Sequence, residues 1–186
     1  MNTSIKEETP LKEQNGKGLL QIFTGDGKGK TTAALGTILR ASGHGMRVYI
    51  IFFLKGYPSG ERKVLSELPN VDMASFGSRN FVKSAQPKAE DIEQAKLALA
   101  TAREAMLSSN YDLVVLDEIA AVLNLNLLEL DEVTRLIGDK PPQVELILTG
   151  RQVDPRLVEM ADLVTEMVKI KHPFDKGIKA RRGIEY

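Results

Sequence analysis

Residues Leu19-Leu20-Gln21-Ile22-Phe23-Thr24-Gly25-Asp26-Gly27-Lys28-Gly29-Lys30-Thr31-Thr32-Ala33-Ala34 decide the reading of this chain. An apolar run, Leu19 to Phe23, meets a glycine-dense loop, and the loop opens into a helix-like stretch, Ala33 to Arg40. Glycines let successive backbone N–H groups converge on one point. The N-terminus of the following helix adds the positive end of its dipole, and Lys30 adds a full charge at the same place. Such a loop cradles a polyphosphate. Thr31 stands where its hydroxyl can join the shell of a magnesium or manganese ion. The candidate nucleotide-binding residues are therefore Gly25, Asp26, Gly27, Lys28, Gly29, Lys30, Thr31 and Thr32, with Lys30 as the principal catalytic cation. Counting back from Gly29 puts Thr24 in the first glycine position of G-x-x-x-x-G-K-[ST], so the loop is a variant P-loop.

Composition narrows the setting. The chain has 186 residues, 25 Lys and Arg against 25 Asp and Glu, and no Cys. That length predicts one domain with a real core. A net charge of zero argues against a protein whose main work is coating nucleic acid. Without Cys there is no disulfide, zinc-thiolate site, iron-sulfur cluster or thiol nucleophile, which suits a reducing cytoplasm. Lys6, Glu7, Glu8, Lys12 and Glu13 interrupt the N-terminus, so neither a signal peptide nor a membrane anchor is expected there. The expectation is a cytoplasmic protein with a mobile segment over 1–17 and one domain over 18–186, its tail starting near 171.

Apolar runs alternate with helix-like stretches, the pattern of a mostly parallel sheet with helices on both faces, an α/β fold of the P-loop nucleoside-triphosphatase (RecA-like) type. Strands are expected over 19–24, 48–54, 71–76, 113–117, 144–149 and 163–170, and helices near 31–42, 60–68, 89–109, 130–137 and 155–160. The third helix is the clearest, with Ile92, Ala95, Leu99, Ala102 and Met106 at helical spacing. Asp154-Pro155 reads as a cap and first turn.

Ligands of open parallel sheets bind beyond the carboxyl ends of the strands, so the loops after the first, fourth and fifth strands are expected to share one crevice. The fourth strand, Leu113 to Leu116, runs into Asp117 and Glu118, which look like a second metal-binding element facing Thr31. The fifth ends in Gly150-Arg151, and Arg151, the second candidate catalytic cation, could either reach a phosphate oxygen or pair with a surface carboxylate. His44 reads as a turn residue. His172, before Pro173, suits a structural role better than a catalytic one. The basic stretch Lys169, Lys171, Lys176, Lys179, Arg181, Arg182 is interleaved with Phe174, Gly177 and Gly183, which suggests a defined path over the surface.

The residues alone leave phosphorolysis, kinase chemistry and motor switching open. Taken together, Gly25 to Ala34, Asp112 to Glu118, Leu148-Thr149-Gly150-Arg151, Ala161 to Met167, Lys171-His172-Pro173-Phe174-Asp175-Lys176-Gly177-Ile178-Lys179-Ala180 and Gly183-Ile184-Glu185-Tyr186 resemble the P-loop type of ATP:corrinoid adenosyltransferase, also called cob(I)yrinic acid a,c-diamide adenosyltransferase. The resemblance spans roughly residues 18 to 186.

It implies transfer of the 5′-deoxyadenosyl group of ATP to the cobalt(I) of a corrinoid, with triphosphate leaving, in adenosylcobalamin synthesis or salvage. Cobalt(I) is itself a strong nucleophile, so the protein need supply neither a base nor a covalent nucleophile. Lys30, Lys28, the loop amides and a metal ion held by Thr31 with Asp117 or Glu118 would stabilise the leaving charge. Family members strip the lower cobalt ligand with aromatic side chains after the third strand, a tryptophan in some. This chain has no Trp, and Phe76 and Phe81 are its nearest candidates for corrinoid binding. The family also implies a homodimer whose N-terminal segment lies over an active site, and a reductase or flavoprotein as electron donor. No nucleic-acid or membrane partner is expected. The competing readings are a P-loop ATPase or kinase cleaving between the β and γ phosphates, and a RecA-like nucleic-acid module, which the neutral charge and 5% aromatic content oppose.

Overall fold

Six strands form one parallel sheet: β1 (Leu20–Thr24), β2 (Val48–Phe52), β3 (Val71–Ser75), β4 (Leu113–Asp117), β5 (Glu145–Thr149) and β6 (Leu163–Glu166). Their order across the sheet is β3-β2-β4-β5-β1-β6, every neighbouring pair parallel. The structure, a computed structural model, describes residues 16–54, 59–77 and 87–185. Phe81 and most of the expected N-terminal segment, 1–15, lie outside the described residues. The connections carry α1 (Lys30–Gly43), α2 (Gly60–Leu65), α3 (Ala89–Leu107), α4 (Ile119–Asn124), α5 (Leu130–Gly138) and α6 (Pro155–Met160), and a 3-10 turn spans Pro173–Lys176.

Successive side chains of a strand point to opposite faces, so β1, β2, β4 and β5 each feed two cores. Leu20, Ile22, Val114, Leu116, Leu146 and Leu148 pack with Ala95, Ala98, Ala102 and Met106 of α3 and with Val133, Leu136 and Ile137 of α5. Phe23, Ile50, Phe52, Leu113, Val115 and Ile147 pack on the other side with Ala34, Ile38 and Ala41 of α1 and Leu65 of α2. With both faces covered, β4 is buried along its whole length, which is why it reads as a continuous apolar run rather than an alternating one. Small residues on the inner face of α3 let its backbone approach the sheet closely. At α6 the Asp154 side chain accepts a hydrogen bond from the Arg156 N–H at 2.9 Å, with Pro155 in the first turn, as the sequence predicts.

The differences from expectation lie at element ends. The last strand stops at Glu166 rather than running to 170, because Met167 turns to the phosphate loop: its N–H donates to the Thr24 carbonyl and its carbonyl accepts from Gly27 N–H. Beyond it Val168 and Ile170 are exposed. Helix α2 ends at Leu65 rather than 68. Helix α4, directly after the acidic pair, is not anticipated from the sequence, since its six residues are too few to show a helical period. Among the described residues no helix is long and apolar enough to cross a membrane.

Candidate active site

Strands β4, β5 and β1 lie side by side, so the loops at their carboxyl ends open into one cavity of about 600 Å³. Gly27 to Thr32, Glu118 and Arg151 line it, as the topology argument expects. The loop's glycines have a second role that only the structure shows. A Cβ on Gly25 or Gly27 would stand 2.5 or 2.6 Å from the Met167 carbonyl oxygen. Gly25 also has φ +98°. The loop therefore lies flush on the chain after β6, tied by the Gly27 N–H to Met167 at 2.6 Å.

Gly29, at φ 119°, precedes α1 and offers no side chain to cap it, leaving the first-turn N–H groups of this 14-residue helix for an anion. Lys30 is only 7% exposed. Its ammonium donates to the Gly25 carbonyl at 2.7 Å and the Gly27 carbonyl at 2.8 Å. An ammonium has three N–H donors, so one remains for a phosphate oxygen. Burial, with the nearby Arg151 guanidinium, lowers the Lys30 pKa, while Glu118, Asp26 and Asp117 oppose that shift.

Asp117 ends β4 fully buried. Its Oδ1 accepts from the Thr31 hydroxyl at 2.9 Å and from the Thr149 hydroxyl at 2.7 Å. Thr149 in turn accepts from the Glu118 N–H at 2.9 Å. The expected partnership of the acidic pair with Thr31 thus runs through Asp117, and Thr149 couples β5 to it. Glu118 has φ 68° and ψ 22° and makes no side-chain cap to α4, so this acid is not there to cap a helix; its left-handed backbone is an uncommon conformation for a non-glycine residue. At the end of β5, Gly150 has φ +145°, and a Cβ there would lie 2.6 Å from the Ala120 Cβ. Only glycine lets β5 hand the chain to Arg151 so close to α4.

A divalent ion fits this donor set. Among the described residues no group of three or more His, Asp or Glu side chains is placed to hold a metal by itself. One hydroxyl beside one buried carboxylate is what a magnesium ion needs when its other ligands are phosphate oxygens and water.

Not every expected residue faces the cavity. Asp26 lines a neighbouring space of about 340 Å³ with Lys169, Phe174 and Asp175, reached past Arg151 and His172, which line both. Lys28 lines the main cavity, but its ammonium is engaged by the end of the chain, with the Ile184 carbonyl at 3.1 Å and Glu185 Oε1 at 3.0 Å. His172 accepts the Phe174 N–H on Nδ1 at 3.1 Å, the structural part expected of it, while also lining the cavity. Phe76 is half-buried against the α3 core, beside Phe53, Ala95 and Val122, and does not line the phosphate cavity. Leu35, Gly60 and Glu61 join the site without having been singled out, while Thr149 and the turn Gly183 to Glu185, quoted above within the resemblance without a role of their own, also join it. The glycine in Gly183-Ile184-Glu185 was the one signal for that turn.

Comparison with known proteins finds relatives along nearly the whole chain. A family model described as ATP:corrinoid adenosyltransferase BtuR/CobO/CobP matches residues 16–186. The chain is 37% identical over 174 residues to the corrinoid adenosyltransferase of Escherichia coli (strain K12), an overlap covering 93% of this chain and 88% of that one. It is 35% identical over 184 residues to the corrinoid adenosyltransferase of Pseudomonas aeruginosa, covering 98% and 91%. A Sinorhizobium corrinoid adenosyltransferase is 38% identical over 187 residues, covering 98% and 87%.

Proposed function

The chain belongs to the ATP:corrinoid adenosyltransferase family, an enzyme of ATP-dependent corrinoid adenosylation, and we propose that its phosphate loop holds triphosphate as the leaving group. The observation that carries this reading is the buried Lys30 ammonium, fixed by the Gly25 and Gly27 carbonyls at the floor of a cavity that also receives Arg151. Cobalt(I) of the corrinoid attacks the ribose C5′, the C5′–O bond breaks, and its electron pair leaves with the triphosphate. Lys30 and the first-turn amides of α1 meet the charge that grows on that oxygen chain, with no reorganisation because the loop is already latched to Met167. Arg151 stands across the cavity as a second cation.

A magnesium or manganese ion held by Thr31 with Asp117, and with Glu118 nearby, would neutralise part of the triphosphate charge. Asp117 orients the Thr31 hydroxyl, and Thr149 holds Asp117. The kinase or ATPase reading is not favoured, because the relatives are named for adenosyl transfer. The test is optical: a reduced corrinoid mixed with the protein, magnesium and ATP is expected to yield a light-sensitive adenosylated corrinoid. Absence of that species with folded protein would contradict the proposal.

On the corrinoid side we propose the segment following β3, with Phe76 and Phe81 displacing the lower cobalt ligand, as the family resemblance implies. Phe81→Ala is expected to slow reduction of cobalt(II) to cobalt(I) on the enzyme while leaving ATP affinity nearly unchanged. Phe76→Ala is expected to do the same and also to lower the melting temperature, since the half-buried Phe76 packs on the α3 core. Retention of the four-coordinate cobalt(II) spectrum by both folded variants would remove these side chains from the corrinoid site. The homodimer, an electron-donating reductase or flavoprotein, and a cytoplasmic setting are proposed on the family resemblance alone.

A further inference from the structure

The phosphate end of the cavity accounts for the loop, Lys30, Thr31 and Arg151, and leaves the rest of its wall without a role. Among the described residues that line it, Leu35 and Ile184 are the only apolar side chains. Ile184 is 61% exposed, yet it sits in one of the most heavily tied segments of the surface. Glu185 accepts the Arg181 N–H at 2.7 Å and Nε at 3.1 Å on Oε2, and Nη2 at 2.9 Å on Oε1. The same Oε1 accepts Lys28 Nζ at 3.0 Å, and Lys28 also reaches the Ile184 carbonyl at 3.1 Å. The Ile184 and Glu185 N–H groups both return to the Arg181 carbonyl, closing the turn. Hydrogen bonds from Arg181, with that from Lys28, hold the Glu185 carboxyl well below the usual carboxylate range.

An exposed isoleucine held still at the mouth of a polyphosphate cavity suits a flat, apolar-faced ligand part. ATP, once its phosphates occupy the loop, has one such part. We propose that the C-terminal turn Arg181–Glu185 is the nucleoside wall of the cavity, with Ile184 packing on the nucleoside of ATP and Glu185 acting as a positioning residue that, clasped by Lys28 and Arg181, holds Ile184 there. This rests on the reading of the cavity as an ATP site, and it changes the part given to Lys28. Neutralised by Glu185, Lys28 anchors the wall, and the leaving charge falls to Lys30 and Arg151.

The test compares two ligands that share phosphates and differ in the nucleoside. Magnesium ATP and magnesium tripolyphosphate are titrated calorimetrically into the full chain, its Ile184→Ala and Glu185→Gln variants, and Lys30→Ala as a control. Ile184→Ala is expected to weaken ATP about tenfold and tripolyphosphate by less than about twofold. Glu185→Gln is expected to follow the same pattern with a smaller loss, and to raise KM for ATP with little change in kcat. Lys30→Ala is expected to weaken both ligands. Unchanged ATP affinity in the two tail variants would overturn the proposal, and so would equal loss of both ligands, the mark of a tail that merely steadies the phosphate loop. No corrinoid is present in the titration. A protein that shows the expected pattern yet forms no adenosylated corrinoid would sink the transfer reading and leave the nucleoside wall standing.

Discussion

Lys30→Ala is expected to lower the adenosylation rate on the order of a hundredfold or more, measured as formation of the light-sensitive corrinoid product under saturating ATP. The ammonium is the only buried cation of the site among the described residues, and two carbonyls fix it under the loop. Arg151 is exposed and approaches from a different strand, and Lys28 is held by the chain's end, so neither can take its place. Lys30→Arg is expected to rescue little, because a guanidinium is too large for the space between the Gly25 and Gly27 carbonyls and presents its donors in a plane. A folded Lys30→Ala protein with near wild-type turnover would remove this loop from the chemistry.

The second large effect is expected at Asp117. Asp117→Asn keeps the shape of a fully buried side chain but replaces an acceptor-only group with one that also donates. The two threonine hydroxyls that now converge on Oδ1 would lose a charged acceptor, and hydrogen bonds to charged groups are worth about 1.5–3 kcal/mol each. The magnesium concentration needed for half-maximal rate is expected to rise at least about tenfold, an estimate that follows from losing one such bond, with a further loss of rate that excess metal does not restore. Thr31→Ala is expected to shift the same titration, because its hydroxyl is the uncharged oxygen beside that carboxylate. Unchanged magnesium titrations in both variants would place the ion elsewhere.

How much of this was legible in the sequence depended on how local the cause was. The phosphate loop was legible because glycine freedom, a helix N-terminus and Lys30-Thr31 act within a few residues of one another. The crevice was legible one level up, since the motifs fall after the first, fourth and fifth strands, although that these strands are neighbours is fixed only by the sheet order. Asp117 was legible as the end of an apolar run, but its hold on Thr149 was not: the strand neighbours β4 and β5 are joined through α4 and α5, and a threonine at a strand end carries no pattern of its own. The contact of Lys28 with Ile184 and Glu185 spans 156 and 157 residues of sequence, which no periodicity records. The glycines misled in part, for Gly25 and Gly27 answer to the Met167 backbone, a role the phosphate reading does not predict. Phe76 was chosen for its place after the third strand, and its packing on α3 is a tertiary fact that hydrophobicity alone could not assign to core or ligand.

The most direct measurement is phosphorus NMR of a single reaction containing the protein, magnesium ATP and a chemically reduced cobalt(I) corrinoid, followed together with the optical spectrum of the corrinoid. Adenosyl transfer with a triphosphate leaving group is expected to give inorganic triphosphate in one-to-one proportion to adenosylated corrinoid, with all three phosphorus atoms of ATP recovered in it. Appearance of ADP and inorganic phosphate, with the corrinoid left unalkylated, would contradict it.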